Sequence, residues 1–115
     1  MMPMKYRVLF APFPFGNLKT RKFRPVLCLT EPQGKHKELL LAYISTNIAG
    51  NKMPRDLVIW KNDKDLAMTG LKESSVIKLN KLLTLPKAMI LGQLGKLSPA
   101  QIKKVQAKLK KLLDL

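Results

Sequence analysis

The tetrapeptide Ser98-Pro99-Ala100-Gln101 fixes the start of a helix, and that start divides the chain. Serine is a good cap, proline carries a helical φ into the first turn, and glutamine three residues after the cap completes a capping box. Downstream, Ile102, Val105, Leu109, Leu112 and Leu113 recur three or four residues apart, which keeps one helical stripe apolar. Lys103, Lys104, Lys108, Lys110 and Lys111 cover the remainder. The stripe must pack on the rest of the chain or on a second subunit.

The residues before Ser98 read as short strands. Arg7 to Ala11 is the first, and the Pro-rich stretch through Gly16-Asn17 is expected to leave the sheet because proline has no ladder donor. A basic loop carrying Lys19, Arg21 and Lys22 runs to about Phe23, and Pro25 opens a second strand through Leu29. After a Glu31 to Lys35 turn, Leu39 to Ser45 forms a third strand. Leu57 to Trp60 is a fourth, beyond a loop from Gly50 to Pro54. Asn62 to Ala67 predicts a turn or two of helix, capped by Asn62 and ended by Gly70, and Val76 to Leu79 and Ala88 to Leu91 predict two further strands. Short strands joined by short turns predict a mainly β fold, a small barrel closed by the terminal amphipathic helix. With no repeat or linker to divide it, the chain reads as a single domain over residues 1–115.

Charge narrows the partners. Twenty-two Lys and Arg against seven Asp and Glu leave +15, a field that attracts polyanions, nucleic acid foremost and an acidic protein second. Cys28 stands alone inside Val26-Leu27-Cys28-Leu29, the setting of a buried, inert thiol. No apolar run reaches the ~18 residues of a spanning helix, and Pro12 and Pro14 interrupt the N-terminal apolar run. The chain is therefore expected in the cytoplasm, away from membranes.

The ionisable groups restrict the chemistry. His36 is the sole histidine and sits in a turn, which rules out a two-histidine acid-base pair within one chain. Of the acids only Asp63 and Asp65 are close, at a helix start where they complement the dipole, so neither a two-metal nuclease nor a zinc site is expected. There is no Gly-rich phosphate loop, and no cofactor is expected. Arginine, lysine, hydroxyl groups and main chain remain. These suit metal-independent cleavage of RNA, in which the 2′-hydroxyl of the substrate is the nucleophile and the protein orients it and stabilises phosphorane charge.

Taken in order, Val8-Leu9-Phe10-Ala11-Pro12-Phe13-Pro14-Phe15, Lys22-Phe23-Arg24-Pro25-Val26-Leu27 and Ile44-Ser45-Thr46-Asn47 resemble the opening half of MazF/PemK-type toxins. Thr69-Gly70-Leu71, Ser75-Val76-Ile77-Lys78-Leu79, Lys81 to Leu85 and Ile90 to Ser98 resemble the second half, so the likeness runs from about Tyr6 to Leu113. It implies an SH3-like barrel closed by the terminal helix and paired as a homodimer. It also implies a sequence-selective endoribonuclease of a toxin-antitoxin system that leaves a 2′,3′-cyclic phosphate and a 5′-hydroxyl on single-stranded RNA. In that family the arginine of the Arg-Pro pair serves the scissile phosphate and a hydroxyl after the third strand assists it. These map to Arg24 and Ser45, with Thr46 able to substitute by a one-residue shift. The usual threonine is replaced by Ser45, which keeps the hydroxyl and loses the methyl that fixes its rotamer. The polar Glu-Gln-Gly-like stretch before Arg-Pro is replaced by Thr20-Arg21-Lys22-Phe23.

Lys19, Arg21 and Lys22 read either as a solvated loop or as an RNA-gripping one over the site, and Asn47 as a further RNA contact; Phe15, Phe23 and Trp60 are candidates for base stacking, against the commoner place of aromatics in the core. The matching partner is an antitoxin with an acidic, partly disordered segment. A second reading of the same fold is a non-catalytic basic module that binds RNA or a protein target such as DNA gyrase, as in the CcdB branch.

Overall fold

The computed structural model describes residues 3–13, 22–49 and 53–115. Its strands are β1 (Arg7–Phe13), β2 (Lys22–Cys28), β3 (Glu38–Ser45), β4 (Leu57–Ile59), β5 (Ser75–Pro86) and β6 (Gly92–Lys96). The helices are α1 (Leu66–Thr69) and α2 (Pro99–Leu112), and a 3-10 turn spans Lys87–Met89. The strands form one sheet in the order β4-β5-β3-β2-β1-β6, with antiparallel neighbours throughout. The sheet curls into a half-barrel, and α2 packs on one of its faces.

Strand alternation gives the sheet two apolar faces. Val8, Leu27, Ala42, Ile44, Ile77 and Leu79 form one core, against which Ile102, Val105, Leu109 and Leu112 of α2 are laid. The helical stripe therefore packs on the chain's own sheet. Leu9, Ala11, Phe13, Val26, Leu41 and Tyr43 form the second core on the other face. The predicted start of α2 is present in full: Ser98 Oγ accepts from Gln101 N at 3.1 Å, and Gln101 Oε1 accepts from Ser98 N at 2.8 Å.

Two strand assignments differ from expectation at prolines. Pro12 stays in β1, paired with Phe23. β6 reaches only from Arg7 to Phe10, so Pro12 lies where β1 is an edge and a missing N–H leaves no ladder bond unmade. Pro25 lies inside β2, opposite Phe10, because β2 engages β3 only from Val26 onward and its outer side is free before that.

Further along, β5 runs through the predicted Val76 to Leu79 strand and continues to Pro86. Its pairing with β3 slips between Ala42 and Tyr43: Ala42 faces Leu82 while Tyr43 faces Lys78, so three residues of β5 bulge out and let the long strand bend. Ala88 to Leu91 is not a strand; the 3-10 turn occupies its start and β6 begins at Gly92. β4 ends at Ile59, one residue short of Trp60. The short helix has Asp65 at its N-cap position, without a side-chain cap bond, and starts at Leu66, later than Asn62 suggested, because Asp63 Oδ1 accepts from Asp65 N at 2.8 Å and closes an Asx turn first. Gly70 ends it in the left-handed conformation, φ 77°.

Candidate active site

The β2–β3 register decides which side chains share a face. Cys28 faces Leu41, Leu27 faces Ala42 and Val26 faces Tyr43. Continued two residues beyond the ladder, the same register sets Arg24 opposite Ser45, both on the side of the sheet that carries Tyr43. The Arg24 guanidinium carbon stands 5.7 Å from the centroid of the Tyr43 ring. Phe13 stacks on the same ring at 5.3 Å and an interplanar angle of 23°, which fixes the platform. Lys81 Nζ approaches it to 5.9 Å, brought there by the β5 bulge. Two cations thus approach one aromatic ring within cation–π range.

Arg24 holds an unmet donor. Its Nε is buried and has no hydrogen-bond partner among the described residues. A buried N–H left unsatisfied is costly unless a ligand oxygen completes it. The planar fork of a guanidinium suits that task, since it can hold two phosphate oxygens together.

Ser45 is buried at the end of β3, and its Oγ accepts from Asn47 N at 3.0 Å, which leaves the hydroxyl proton to donate elsewhere. Thr46 is exposed and lines a cleft of about 360 Å³ with Phe10, Pro25, Ile44, Leu71 and Leu94, which Arg24 also borders. Because Ile44 belongs to the α2-side core, this cleft opens on the side of the sheet opposite Tyr43. The structure thus sets Ser45 on the Tyr43 face and Thr46 on the other, with Arg24 reaching the Tyr43 ring and also bordering the Thr46 cleft. Asn47 is exposed just past Ser45, and Lys22 is exposed at the start of β2, opposite Phe13. Lys19, Arg21 and Phe15 lie outside the described residues.

Phe23 is half exposed and stacks on Phe10 with centroids 6.1 Å apart, at the rim of the cleft. Trp60 is 53% exposed beside a surface hollow lined by Lys61, Asn62 and Ser74, so it is not a core residue. Cys28 is fully buried; burial lifts its thiol to about 11, and Sγ donates to Thr30 O at 3.1 Å, so it is no nucleophile. His36 is exposed. Among the described residues no group of three His, Cys, Asp or Glu side chains could hold a metal ion. None of the described helices is long and apolar enough to cross a membrane.

Sequence reasoning missed the Tyr43 platform and the charge beside it. Lys78 is directly opposite Tyr43 and buried, with Nζ 2.6 Å from Asp56 Oδ2. The same carboxylate oxygen accepts from Met53 N at 2.6 Å, and Oδ1 is buried without a partner among the described residues. A signal was present: a lysine inside Val76-Ile77-Lys78-Leu79, a strand otherwise apolar, requires a buried anion, and there are few acids to supply one.

A six-stranded antiparallel half-barrel, closed on one face by a C-terminal helix, is the fold this chain shares with solved toxin structures. The family model described as the PemK-like, MazF-like toxin of type II toxin–antitoxin systems matches residues 5–113, and the chain belongs to that family. Solved structures agree on the fold. An endoribonuclease in complex with its cognate antitoxin, from a mycobacterial species, superposes with a TM-score of 0.73 at 17% identity, over 99% of this chain and 97% of that one. The Mycobacterium tuberculosis toxin MazF-mt6 gives a TM-score of 0.71 at 23% identity, over 95% of this chain and 97% of that one. A further mycobacterial endoribonuclease gives 0.68 at 15% identity, over 100% and 95%. None of the curated protein sequences is a significant match.

Proposed function

We propose that this toxin is a metal-independent, sequence-selective endoribonuclease acting on single-stranded RNA. The observation that carries the reading is Arg24, held over the Tyr43 ring on the same face as Ser45 and bearing a buried Nε donor with no partner among the described residues. In the reaction the ribose 2′-oxygen, losing its proton, attacks the adjacent phosphorus. The bond from phosphorus to the 5′-oxygen breaks, and that oxygen takes up a proton. The products are a 2′,3′-cyclic phosphate and a 5′-hydroxyl. Arg24 stabilises the charge that grows on the equatorial phosphoryl oxygens, and the Ser45 hydroxyl donates to one of them. Lys81, on the same ring, contributes positive field beside the phosphate. Thr46 is the alternative hydroxyl.

Lys22 and Asn47, both exposed, are RNA-binding residues in this reading, together with Lys19 and Arg21, which lie outside the described residues. The working form is a cytoplasmic homodimer, a single toxin domain per chain. Its natural inhibitor is an antitoxin with an acidic segment, favoured by the net charge of +15; a fold relative is described in complex with its cognate antitoxin.

The test is incubation of purified wild type and Arg24→Ala with a long single-stranded RNA in excess EDTA, with the new 5′ ends mapped. Discrete cuts by wild type and a loss of about 10²- to 10³-fold in the variant are expected. Tight binding without cuts by wild type would leave a non-catalytic RNA-binding module instead.

A further inference from the structure

Lys104, Lys108 and Lys111 follow one another at intervals of four and three residues on α2 and so lie on one stripe of the helix. Together with Arg55 and Ala107 they line a hollow of about 240 Å³ on the protein surface. Lys103 and Lys110 of the same helix do not line it. The fourth cation comes from a distant part of the chain. Asp56 is drawn inward by Lys78 Nζ and Met53 N, and its neighbour Arg55 lines the hollow with the three lysines.

Such an arrangement is unfavourable by itself. Like charges a helical turn apart repel, and gathering a fourth around one concavity raises the local potential further. The charges concentrate where a polyanion can be received. The hollow shares no described lining residue with the cleft that Arg24 borders, and neither Ser45 nor Tyr43 lines it.

We propose that this hollow is a second, sequence-independent nucleic-acid site that binds phosphates of the strand away from the point of cleavage. Its lining favours phosphate over a protein partner. Protein interfaces are anchored by buried apolar and aromatic side chains, whereas among the described residues Ala107 is the sole apolar side chain in this lining. Three of the four cations are lysines, point charges that attract a phosphate without reading a base. From Lys104 to Lys111 the helix rises about 10 Å. That is the span of about three phosphates at duplex spacing and of fewer in an extended strand. A long RNA engaged at Arg24 therefore gains a second attachment, which raises its effective affinity without altering the chemical step. The placement relative to cleavage rests on the proposed endoribonuclease reading; the phosphate site itself does not.

Two variants with equal charge removed separate a site from general attraction. K104Q/K108Q lies in the hollow and K103Q/K110Q lies on the same helix outside it; glutamine keeps helix propensity in both. The probe is a long single-stranded DNA of mixed sequence, which lacks the 2′-hydroxyl and is bound without being cut. Losing two phosphate contacts should lower the slope of log affinity against log salt by about 1.4. The hollow pair should show this loss and the control pair a much smaller one, with unchanged circular dichroism in both. Arg55→Gln added to the hollow pair should deepen it. With RNA, the hollow pair should raise KM for a long substrate several-fold and leave KM for the shortest cleavable oligonucleotide within twofold. Equal slopes for the two pairs would overturn the site. So would a hollow pair that loses binding to polyglutamate but not to DNA, which would identify an acidic protein as the partner. If wild type cuts no RNA yet the slopes differ, the phosphate site stands and the endoribonuclease reading falls.

Discussion

Lys78 Nζ lies 2.6 Å from Asp56 Oδ2, and the two side chains are buried together, Lys78 on β5 opposite Tyr43 and Asp56 just before β4. An ion pair taken out of water costs so much desolvation that its net contribution is small, but breaking it by removing one partner leaves the other charge stranded. Lys78→Met should therefore destabilise the fold by about 3–5 kcal/mol. In K78M/D56N the remaining side chain is neutral and can still accept from Met53 N, so most of the loss should return. Urea unfolding of the two variants and wild type measures both numbers, and a double variant no better than Lys78→Met would deny the pair its role.

The hydroxyl assignment turns on which face of the sheet receives the scissile phosphate. Ser45 shares the face of Tyr43, over which Arg24 is held, whereas Thr46 lines the cleft on the other side with Ile44, a cleft that Arg24 also borders. Ser45→Ala should lower kcat by about 10²-fold, the scale of losing one preorganised donor, while Thr46→Ala should change it by only a few-fold. Ser45→Thr should retain activity, since it restores a hydroxyl at the same place. The reverse pattern in single-turnover cleavage assays would move the reaction to the cleft.

The sequence made the terminal helix legible down to its reciprocal Ser98 and Gln101 bonds, because capping and amphipathic spacing are local signals. Strand order and the placing of Arg24 and Ser45 on one face of the sheet were within reach only through the ordered resemblance, since no local pattern reports which strands are neighbours. The prolines misled in a definable way: Pro12 and Pro25 break a central ladder, but whether a strand is an edge at a given residue depends on where β6 and β3 stop, which is tertiary information. The Tyr43 platform was invisible for the same reason. Lys81 reaches the ring because three residues bulge out of β5, and neither the bulge nor the partner strand is written locally.

Gly70 and Gly34 offer a matched pair for backbone strain. Both are left-handed, at φ 77° and φ 74°, so alanine is disfavoured conformationally at each. A methyl group at Gly34 would meet nothing within 4 Å, whereas at Gly70 it would run into the Leu94 carbonyl of β6. Gly34→Ala should cost about 1 kcal/mol and Gly70→Ala clearly more, with the difference reporting the α1–β6 contact alone. Equal midpoints in denaturant for the two variants would mean that β6 yields at no cost.

Cys28 gives the fold a measurable alkaline limit. Its thiol, buried in the second core, is raised to about 11 from the ordinary 9.0, chiefly by loss of hydration. In the unfolded chain the same thiol ionises near 9.0, so between these values the unfolded state holds fewer protons than the folded one and is favoured as pH rises. The contribution is fully present below pH 9 and is lost progressively as pH climbs toward and through 11, at a slope approaching about 1.4 kcal/mol per pH unit. Urea midpoints followed from pH 7 upward should fall more steeply for wild type than for Cys28→Ala, which lacks this titration but keeps every lysine. The same burial should protect wild type from iodoacetamide at pH 8 until urea unfolds it. Alkylation of the folded protein at the rate of a free thiol would mean that the second core opens to water and that the alkaline slope belongs to other groups.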